Sequence, residues 1–279
     1  MDTAAKVLIV LFLAAYLSER RELLALPTRR IGPVTMPDPR YIAPLLGIVG
    51  LSLVIFVRQN DLGSSLLFFA TFMAILWIAT GRKLYPLLGA VLFVAGVWLA
   101  YRTFGHVQVR FDAWLHPDNH PQTSSFQIVQ GRYAMAEGGL GGTGLGDTDA
   151  QPNLIPFGWT DLILASIGYT LGLAGVLAVV AATIVFLTRA FFIALRSRSD
   201  LHALAASGLG LAIAIQAGLI MGGVTMVLPL TGVTLPFVSY GGSSLLSNFV
   251  ALACLLAISN AESTTGGAEE EGELVEVRA

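Results

Sequence analysis

A single carboxylate stands where the longest polar segment of the chain meets an apolar run. Asp161 lies in PFGWTDLILASIGYTLG, immediately before the run 162–187. A carboxyl group against an apolar wall, here Phe157 and Trp159, is expected to have a raised pKa and to suit general-base chemistry. The two aromatic residues equally suit anchoring at a membrane interface. The position also suits helix capping, with Thr160 as N-cap and Asp161 in the first turn, so both roles are open.

Two other groups of polar side chains have residue types that bind ions. Arg58 and Asp61, in RQNDLGSSLL, could contact an anionic headgroup or pair with each other across a short turn. His116, Asp118 and His120, in LHPDNH, alternate in a way that could hold a divalent cation. The prolines and the asparagine around them favour a solvated turn instead.

The segment GGLGGTGLGD, residues 138–147, contains the spacing G-x-G-x-x-G at Gly139, Gly141 and Gly144. A dinucleotide site would need a strand before this segment and a helix after it in a βαβ unit, and neither is expected between two apolar runs. The glycines indicate either a flexible loop or a backbone that approaches a phosphate or sugar closely.

The segment PLTGVTLPFVSYGGSSLL, residues 229–246, is irregular and uncharged. It indicates a re-entrant or tightly packed loop, because irregular backbone at membrane depth must be buried in protein or line a wet cavity. Ser239 lacks the G-x-S-x-G context of a hydrolase nucleophile. The absence of charge argues against a proton relay.

The elements that must position these residues are apolar. Of the 279 residues, 55% are hydrophobic and 12% charged, with mean hydropathy +0.74; an average soluble domain is about a quarter charged. A soluble globular enzyme is therefore excluded. Seven runs approach the ~20 residues that cross a bilayer: 3–18, 41–57, 62–80, 84–102, 162–187, 203–228 and 243–259. We predict an all-α polytopic membrane protein, with Lys6 of the first run snorkelling to one membrane face.

The basic residues predict an orientation. Placing the loop between the first two runs in the cytoplasm also places most Lys and Arg there, as the positive-inside rule requires. The N-terminus is then external, as expected if upstream helices are absent from this chain, and the C-terminus is cytoplasmic. The net charge of −2 gives no basic footprint for nucleic acid.

Two polar segments interrupt this pattern. The loop at about 104–160 is predicted to be extracellular and to contain a short amphipathic helix, since Phe126, Val129 and Tyr133 recur at helical spacing. Residues 262–279 hold six glutamates among Ser, Thr and Gly and are predicted to form a disordered cytoplasmic tail. Residues 1–261 form the transmembrane domain.

Five segments in order resemble the SEDS family of cell-shape and division proteins, the FtsW/RodA/SpoVE type. They are RQNDLGSSLL, VRFDAWLHP, FQIVQGRYAMAEGGLGGTGLGD, WTDLILASIGYTLG and PLTGVTLPFVSYGGSSLL. The opening helix resembles the family's S-E-x-A-K helix, with Asp2 in place of its glutamate. The resemblance covers residues 2–260 and corresponds to the last seven of the family's ten helices.

The resemblance implies a peptidoglycan glycosyltransferase that polymerises lipid II at the outer face of the bacterial cytoplasmic membrane, in cell division or cell-shape control. The family's T-D-F-I-F-A motif matches TDLILA, which makes Asp161 the base that deprotonates the acceptor 4-hydroxyl. Either an arginine or a divalent cation, Mg²⁺ or Mn²⁺, would stabilise the leaving pyrophosphate, and no organic cofactor is implied. A class B penicillin-binding protein and other divisome or elongasome proteins are the implied partners.

The family motifs also imply residues that shape the substrate groove. By match to those motifs, or as arginines for the pyrophosphate, they are Arg58, Asp61, Arg110, Gln127, Gln130, Gly139, Gly144, Gly146, Ser239, Gly241, Gly242 and Ser243.

Two departures from the family pattern keep other functions open. The family's G-E-E-L-G becomes G-Y-T-L-G, with Tyr169 and Thr170 replacing both glutamates, and its L-D-P becomes Leu115, His116, Pro117. Loss of these acids favours a non-catalytic scaffold of the division or elongation machinery. A lipid-linked precursor transporter, or flippase, is a further alternative, although few intramembrane charges disfavour ion coupling.

Overall fold

The computed structural model describes residues 2–25, 29–31, 34–36, 47, 62–119, 122–123, 125–145 and 158–276. These residues are almost entirely helical. The helices are α1 (Asp2–Ala25), α2 (Leu62–Thr80), α3 (Leu84–Thr103), α4 (Gly105–Leu115), α5 (Phe126–Gly138), α6 (Ile163–Arg196), α7 (Asp200–Val224) and α8 (Gly242–Glu276). One 3₁₀ turn, Pro117–Asn119, follows α4, and two short strands, β1 (Arg29–Ile31) and β2 (Val34–Met36), pair antiparallel. The strands were not predicted.

Five helices among the described residues are long and apolar enough to cross a membrane: α2, α3, α6, α7 and α8. They confirm five of the seven predicted runs and the all-α polytopic class. The first run, 3–18, is also helical but belongs to α1, which is richer in charged residues. The second, 41–57, lies outside the described residues apart from Gly47.

Helix α7 forms the centre of the bundle and contacts α1, α2, α6 and α8. Small residues allow this packing. A Cβ atom on Gly208 would lie 2.8 Å from Ile75 and Val10, and one on Gly210 would lie 2.5 Å from the Ala190 side chain. Close approach of helix backbones is how membrane helices gain packing energy, because lipid supplies no hydrophobic drive between them.

Helix α3 lies at the edge of the bundle with most of its apolar side chains exposed. In water such a surface would promote aggregation. In a bilayer the same side chains face hydrocarbon, so the exposure agrees with a membrane-spanning helix.

The described part of segment 104–160 contains two α-helices, α4 and α5, where the sequence predicted one. The predicted apolar face of α5 is wrong in part, because Phe126 and Tyr133 are 36% and 61% exposed and only Val129 is buried. The helix packs on α6 through small residues instead: a Cβ atom on Gly131 would contact Leu162 at 3.5 Å. The side of α5 that turns inward comprises Ile128, Val129, Gly131, Ala134 and Gly138.

Two other expectations differ from the structure. Lys6 does not snorkel: its side chain is buried between α1, α7 and α8, where it finds two amide oxygens. Helix α8 continues through Glu276, whereas composition predicted disorder from residue 262. Extending an existing helix requires no new nucleus, which favours continuation past the apolar run.

Candidate functional site

A cavity of about 230 Å³ lies at the end of the bundle where α6 begins. It combines one carboxylate, one guanidinium and one amide with an apolar lining, the usual composition of a ligand site. Two helices from the 104–160 segment form one side, and the irregular segment 225–241 forms another. The lining residues are Val109, Arg110, Ala113, Gln127, Ile128, Asp161, Leu230 and Gly232.

Asp161 does not cap α6. The helix begins at Ile163 with Leu162 as its N-cap, and no side chain donates or accepts a capping hydrogen bond there. The carboxylate lies in the turn 158–162 and lines the cavity. The structure therefore disfavours the capping role that the sequence allowed. The carboxylate faces a cavity instead, as a general base would.

The surroundings of Asp161 have opposing effects on its pKa. Burial raises the pKa of Asp161, because removing the carboxylate from water disfavours the ionised form. The positive charge of Arg110 lowers the pKa and partly offsets this effect. A carboxyl group with a raised pKa, held beside a cation in a cavity, has the properties of a general base.

Arg110 is held in the cavity by the segment opposite. Its Nη1 donates a hydrogen bond of 3.4 Å to the backbone carbonyl of Thr231. That carbonyl also faces α2, because a Cβ atom on Gly63 would lie 2.5 Å from it. The guanidinium therefore keeps a fixed place near Asp161 while its other N–H groups remain able to bind an anion.

The apolar wall beside Asp161 differs from the predicted one. Trp159 is 55% exposed and does not line the cavity, and Phe157 lies outside the described residues. The wall comes from Val109, Ala113 and Ile128, together with Leu230. Sequence reasoning missed these residues because they are far from Asp161 along the chain. Val109, Ala113 and Ile128 lie more than thirty positions before it, and Leu230 lies about seventy positions after it.

Ser239 joins the irregular segment to the turn that carries Asp161. It is buried, its Oγ accepts a 2.8 Å hydrogen bond from the Leu235 amide, and it donates one of 2.8 Å to the Thr160 carbonyl. The Tyr240 amide adds a 2.8 Å hydrogen bond to the Trp159 carbonyl. Ser239 therefore contacts backbone at the site and does not line the cavity.

The glycine-rich segment pairs with a break in α6. Gly172 has non-helical dihedral angles, φ 65° and ψ −161°, inside the helix. The amides of Thr143 and Gly144 donate to the carbonyls of Tyr169 and Thr170 at 2.9 and 3.1 Å, and the Leu173 amide donates to the Gly139 carbonyl at 2.9 Å.

This pairing requires glycine on both sides. A Cβ atom would meet backbone atoms at 1.9 Å on Gly138, 2.2 Å on Gly142 and 2.5 Å on Gly172. The glycines do allow close backbone approach, but the observed partner is the backbone of α6 and not a phosphate or sugar. The Gly139 carbonyl and the Gly144 amide form hydrogen bonds with α6, and neither residue lines the cavity.

The remaining predicted site residues divide into three groups. Gln127 lines the cavity, whereas Gln130, on the same helix, does not. Gly241, Gly242 and Ser243 lie at the start of α8, away from the cavity lining. Arg58, Asp61 and Gly146 lie outside the described residues, as does His120.

In the histidine-containing turn after α4, His116 and Asp118 are exposed, and His120 lies outside the described residues. Asp118 is 84% exposed and pairs with Arg132 at 3.7 Å. No group of three or more His, Cys, Asp or Glu side chains among the described residues could hold a metal ion. The structure agrees with a solvated turn.

Comparison with known proteins gives consistent results. The chain is 41% identical to the peptidoglycan glycosyltransferase RodA of Mycobacterium leprae over 256 residues, 92% of this chain and 55% of that protein. It is 34% identical to the probable peptidoglycan glycosyltransferase FtsW of Geobacter metallireducens over 217 residues, 78% of this chain and 58% of that protein. The chain thus spans little more than half the length of these curated relatives.

A solved structure supports the fold. One chain in "Structural coordination of polymerization and crosslinking by a peptidoglycan synthase complex" superposes with a TM-score of 0.64 at 21% identity, covering 92% of this chain and 82% of that one. The FtsW/RodA/SpoVE profile, described as cell cycle protein, matches residues 3–264. Since that match spans nearly the whole sequence, this multi-pass bacterial membrane protein belongs to the FtsW/RodA/SpoVE family of cell cycle proteins.

Proposed function

We propose that this chain is a peptidoglycan glycosyltransferase that polymerises lipid II, with Asp161 as its general base. One observation carries the proposal: a cavity in a member of this family places Asp161 with Arg110 and Gln127 in an otherwise apolar lining. The relatives that bear the name peptidoglycan glycosyltransferase support the reaction class.

The chemistry needs a base and a stabilised leaving group. Asp161 accepts the proton of the acceptor 4-hydroxyl as that oxygen attacks the anomeric carbon of the donor. The bond from this carbon to the lipid pyrophosphate breaks, and the pyrophosphate leaves with the electron pair. General-base assistance of this kind contributes about 10²–10⁴-fold to the rate.

The cavity residues have distinct parts in this step. Arg110 faces the developing negative charge of the pyrophosphate, to which a guanidinium can offer two parallel N–H groups. Gln127 offers an amide donor and acceptor to a sugar hydroxyl or N-acetyl group. The cavity, about 230 Å³, is smaller than pockets that enclose a drug-sized ligand, ~300–1,000 Å³. It therefore encloses the reacting ends of two long substrates rather than either whole molecule.

The proposal assigns no step to a divalent cation. Among the described residues, Asp161 is the one carboxylate in the cavity lining, and Arg110 beside it disfavours a second positive charge. Mg²⁺ held by so few protein oxygens depends on substrate phosphates for its other ligands. A Mg²⁺ or Mn²⁺ ion would thus enter with the pyrophosphate.

Partner and orientation follow from the same reaction. The chain in the superposed structure belongs to a complex that coordinates polymerisation with crosslinking. We accordingly propose a class B penicillin-binding protein as the crosslinking partner, an extracellular cavity and a cytoplasmic C-terminus.

The test is polymerisation of labelled lipid II by the purified protein, alone and with its penicillin-binding partner. We compare the wild type with Asp161→Asn, and use Asp118→Asn as the matched control because Asp118 is exposed and outside the cavity. We expect glycan chains from the wild type and the control, and a loss of about 10²-fold or more in Asp161→Asn. Equal polymerisation by both Asp161 forms would reject the proposed base.

Two other results would each favour a different function. Tyr169 of α6, which stands where the family has glutamate, is buried in the core. If neither form makes glycan while the wild type still binds the penicillin-binding protein, the chain is a non-catalytic scaffold. Movement of labelled lipid II between leaflets without polymer would instead identify a transporter.

A further inference from the structure

A buried polar network starts at a lysine in the membrane part of the protein. Lys6 of α1 is 3% exposed, and Gln216 of α7 and Asn248 of α8 are fully buried. The Lys6 ammonium donates a 2.5 Å hydrogen bond to the Gln216 Oε1 and another hydrogen bond to the Asn248 Oδ1. An ionisable group in such a place is costly and calls for a functional explanation.

Gln216 carries the network from the helices to the irregular segment. Because its Oε1 accepts from Lys6, its Nε2 points the other way and donates a 2.7 Å hydrogen bond to the Thr234 backbone carbonyl. The Thr234 hydroxyl lies 2.7 Å from the Ser244 Oγ, which adds α8 to the network. One amide thus connects a buried charge to a loop that has no regular secondary structure.

The same loop reaches the candidate base. The residue after Thr234 is Leu235, whose amide donates to Ser239, and Ser239 donates to the carbonyl of Thr160, the residue before Asp161. Leu230 and Gly232 of this loop also line the cavity. A path of hydrogen bonds, joined by the peptide bond between Thr234 and Leu235, therefore runs from Lys6 to the turn that carries Asp161.

The chemical groups that form this path determine its possible role. Its connections to Thr234 and Thr160 end on backbone carbonyls, which accept hydrogen bonds and release no proton. The path cannot move protons from Lys6 to Asp161. What it can do is hold the loop in position, because the Gln216 Nε2 and the Ser239 Oγ donate directly to the Thr234 and Thr160 carbonyls.

We propose that Gln216 is a positioning residue: anchored by Lys6, it holds the 225–241 loop so that the cavity wall and Asp161 keep the geometry the reaction needs. The inference rests on the proposed function only for its kinetic readout. Gln216 itself does not line the cavity, and its Nε2 donates to the loop at Thr234.

The decisive variant is Gln216→Glu. Glutamate keeps an oxygen for Lys6 and compensates the buried ammonium, so the helices stay together. Ionised beside Lys6, it cannot donate to the Thr234 carbonyl, and the link to the loop is lost. The matched control is Gln108→Glu, because Gln108 also donates its amide to a backbone carbonyl, that of Tyr101 at 2.8 Å, but is exposed.

We make two measurements that do not require activity and one kinetic measurement that does. They are the hydrogen exchange of peptides from the 225–241 loop, the carbodiimide labelling of Asp161, and kcat and KM for lipid II. In Gln216→Glu we expect faster loop exchange, severalfold more Asp161 labelling, and kcat lower by about tenfold or more with little change in KM. The thermal midpoint of Gln216→Glu should match that of the wild type, and so should all values for Gln108→Glu.

A second variant guards against misfolding of the first. Ser239→Ala leaves Lys6 and Gln216 intact and removes the link to Thr160, so Asp161 labelling should rise as in Gln216→Glu. Unchanged Asp161 labelling in both variants, or faster loop exchange with wild-type kcat, would overturn the positioning role. A wild type without polymerase activity whose Asp161 labelling still responds would reject the proposed function and keep the positioning role.

Discussion

Asp161 links function to stability at the scale of a single residue. Burial raises the pKa of Asp161 in the folded protein, so the folded state binds this proton more tightly than the unfolded chain does. The stability associated with the protonated form is therefore present at low pH and lost as pH rises through the raised pKa. If Asp161 is the proposed base, the protein keeps this buried carboxylate at some cost to stability.

We expect Asp161→Asn to raise the thermal midpoint by a few degrees at about pH 8 and to raise it less towards about pH 4, because the raised pKa leaves more of the wild-type carboxyl protonated there. Thermal unfolding in detergent at the two pH values tests this. Asp118→Asn, at an exposed position, should give no pH-dependent difference. A midpoint for Asp161→Asn below that of the wild type at pH 8 would contradict the sign.

Arg110 is expected to set the acid limb of the pH–rate profile. Its charge lowers the pKa of Asp161, against the effect of burial. In Arg110→Gln the pKa rises further, so the activity lost on acidification should be lost at higher pH than in the wild type. Initial rates of lipid II polymerisation between about pH 4 and 9 test this shift. Arg132→Gln, on an exposed and already paired arginine, should leave the limb in place; an equal shift in both variants would refute the assignment.

At the scale of the elements, the break in α6 depends on Gly172. Its positive φ is strained for any other residue, and a Cβ atom would lie 2.5 Å from the Gly142 amide nitrogen and the Leu140 carbonyl oxygen. Gly172→Ala should therefore destabilise the protein by about 1–3 kcal/mol or more. Gly141→Ala is the control, because a Cβ atom there meets nothing within 4 Å. Thermal unfolding of the two variants should separate them, and similar midpoints would argue against the pairing.

The limits of sequence reasoning are clearest in these elements. Hydropathy predicted α2, α3, α6, α7 and α8, because a bilayer imposes length and composition on a spanning helix. It could not predict the break at Gly172, since the surrounding residues continue an apolar helical pattern and the partner carbonyls come from another segment. The family match predicted Arg110, Gln127 and Asp161, and the structure brings these three into one cavity.

Long-range contacts explain what the sequence did not predict. Lys6 was expected to snorkel because its partners, Gln216 and Asn248, are 210 and 242 positions away. Ser239 was assigned to the groove by motif, but it binds the Thr160 carbonyl, 79 positions away. Side-chain type indicated that these residues were polar and unusual, while the fold determined which partner each one met. Their roles toward substrate remain predictions.

At the scale of the whole molecule, the charges separate the two ends of the bundle. Helix α6 begins beside the cavity and ends at Arg196, and the turn that contains Arg82 and Lys83 joins the far ends of α2 and α3. These basic residues therefore lie at the end opposite the cavity. By the positive-inside rule we expect that end to be cytoplasmic, which would place the cavity on the outer side of the membrane.

Single-cysteine labelling tests this orientation, starting from Cys254→Ser because Cys254 is the sole cysteine of the sequence. Leu145→Cys lies in an exposed part of the glycine-rich segment, and Ser199→Cys lies in the exposed turn between α6 and α7. A membrane-impermeant maleimide should label Leu145→Cys in intact cells and Ser199→Cys only after permeabilisation. The reverse pattern would place Asp161 on the cytoplasmic side, where it could not polymerise lipid II at the outer face. That result would contradict both the predicted orientation and the proposed activity.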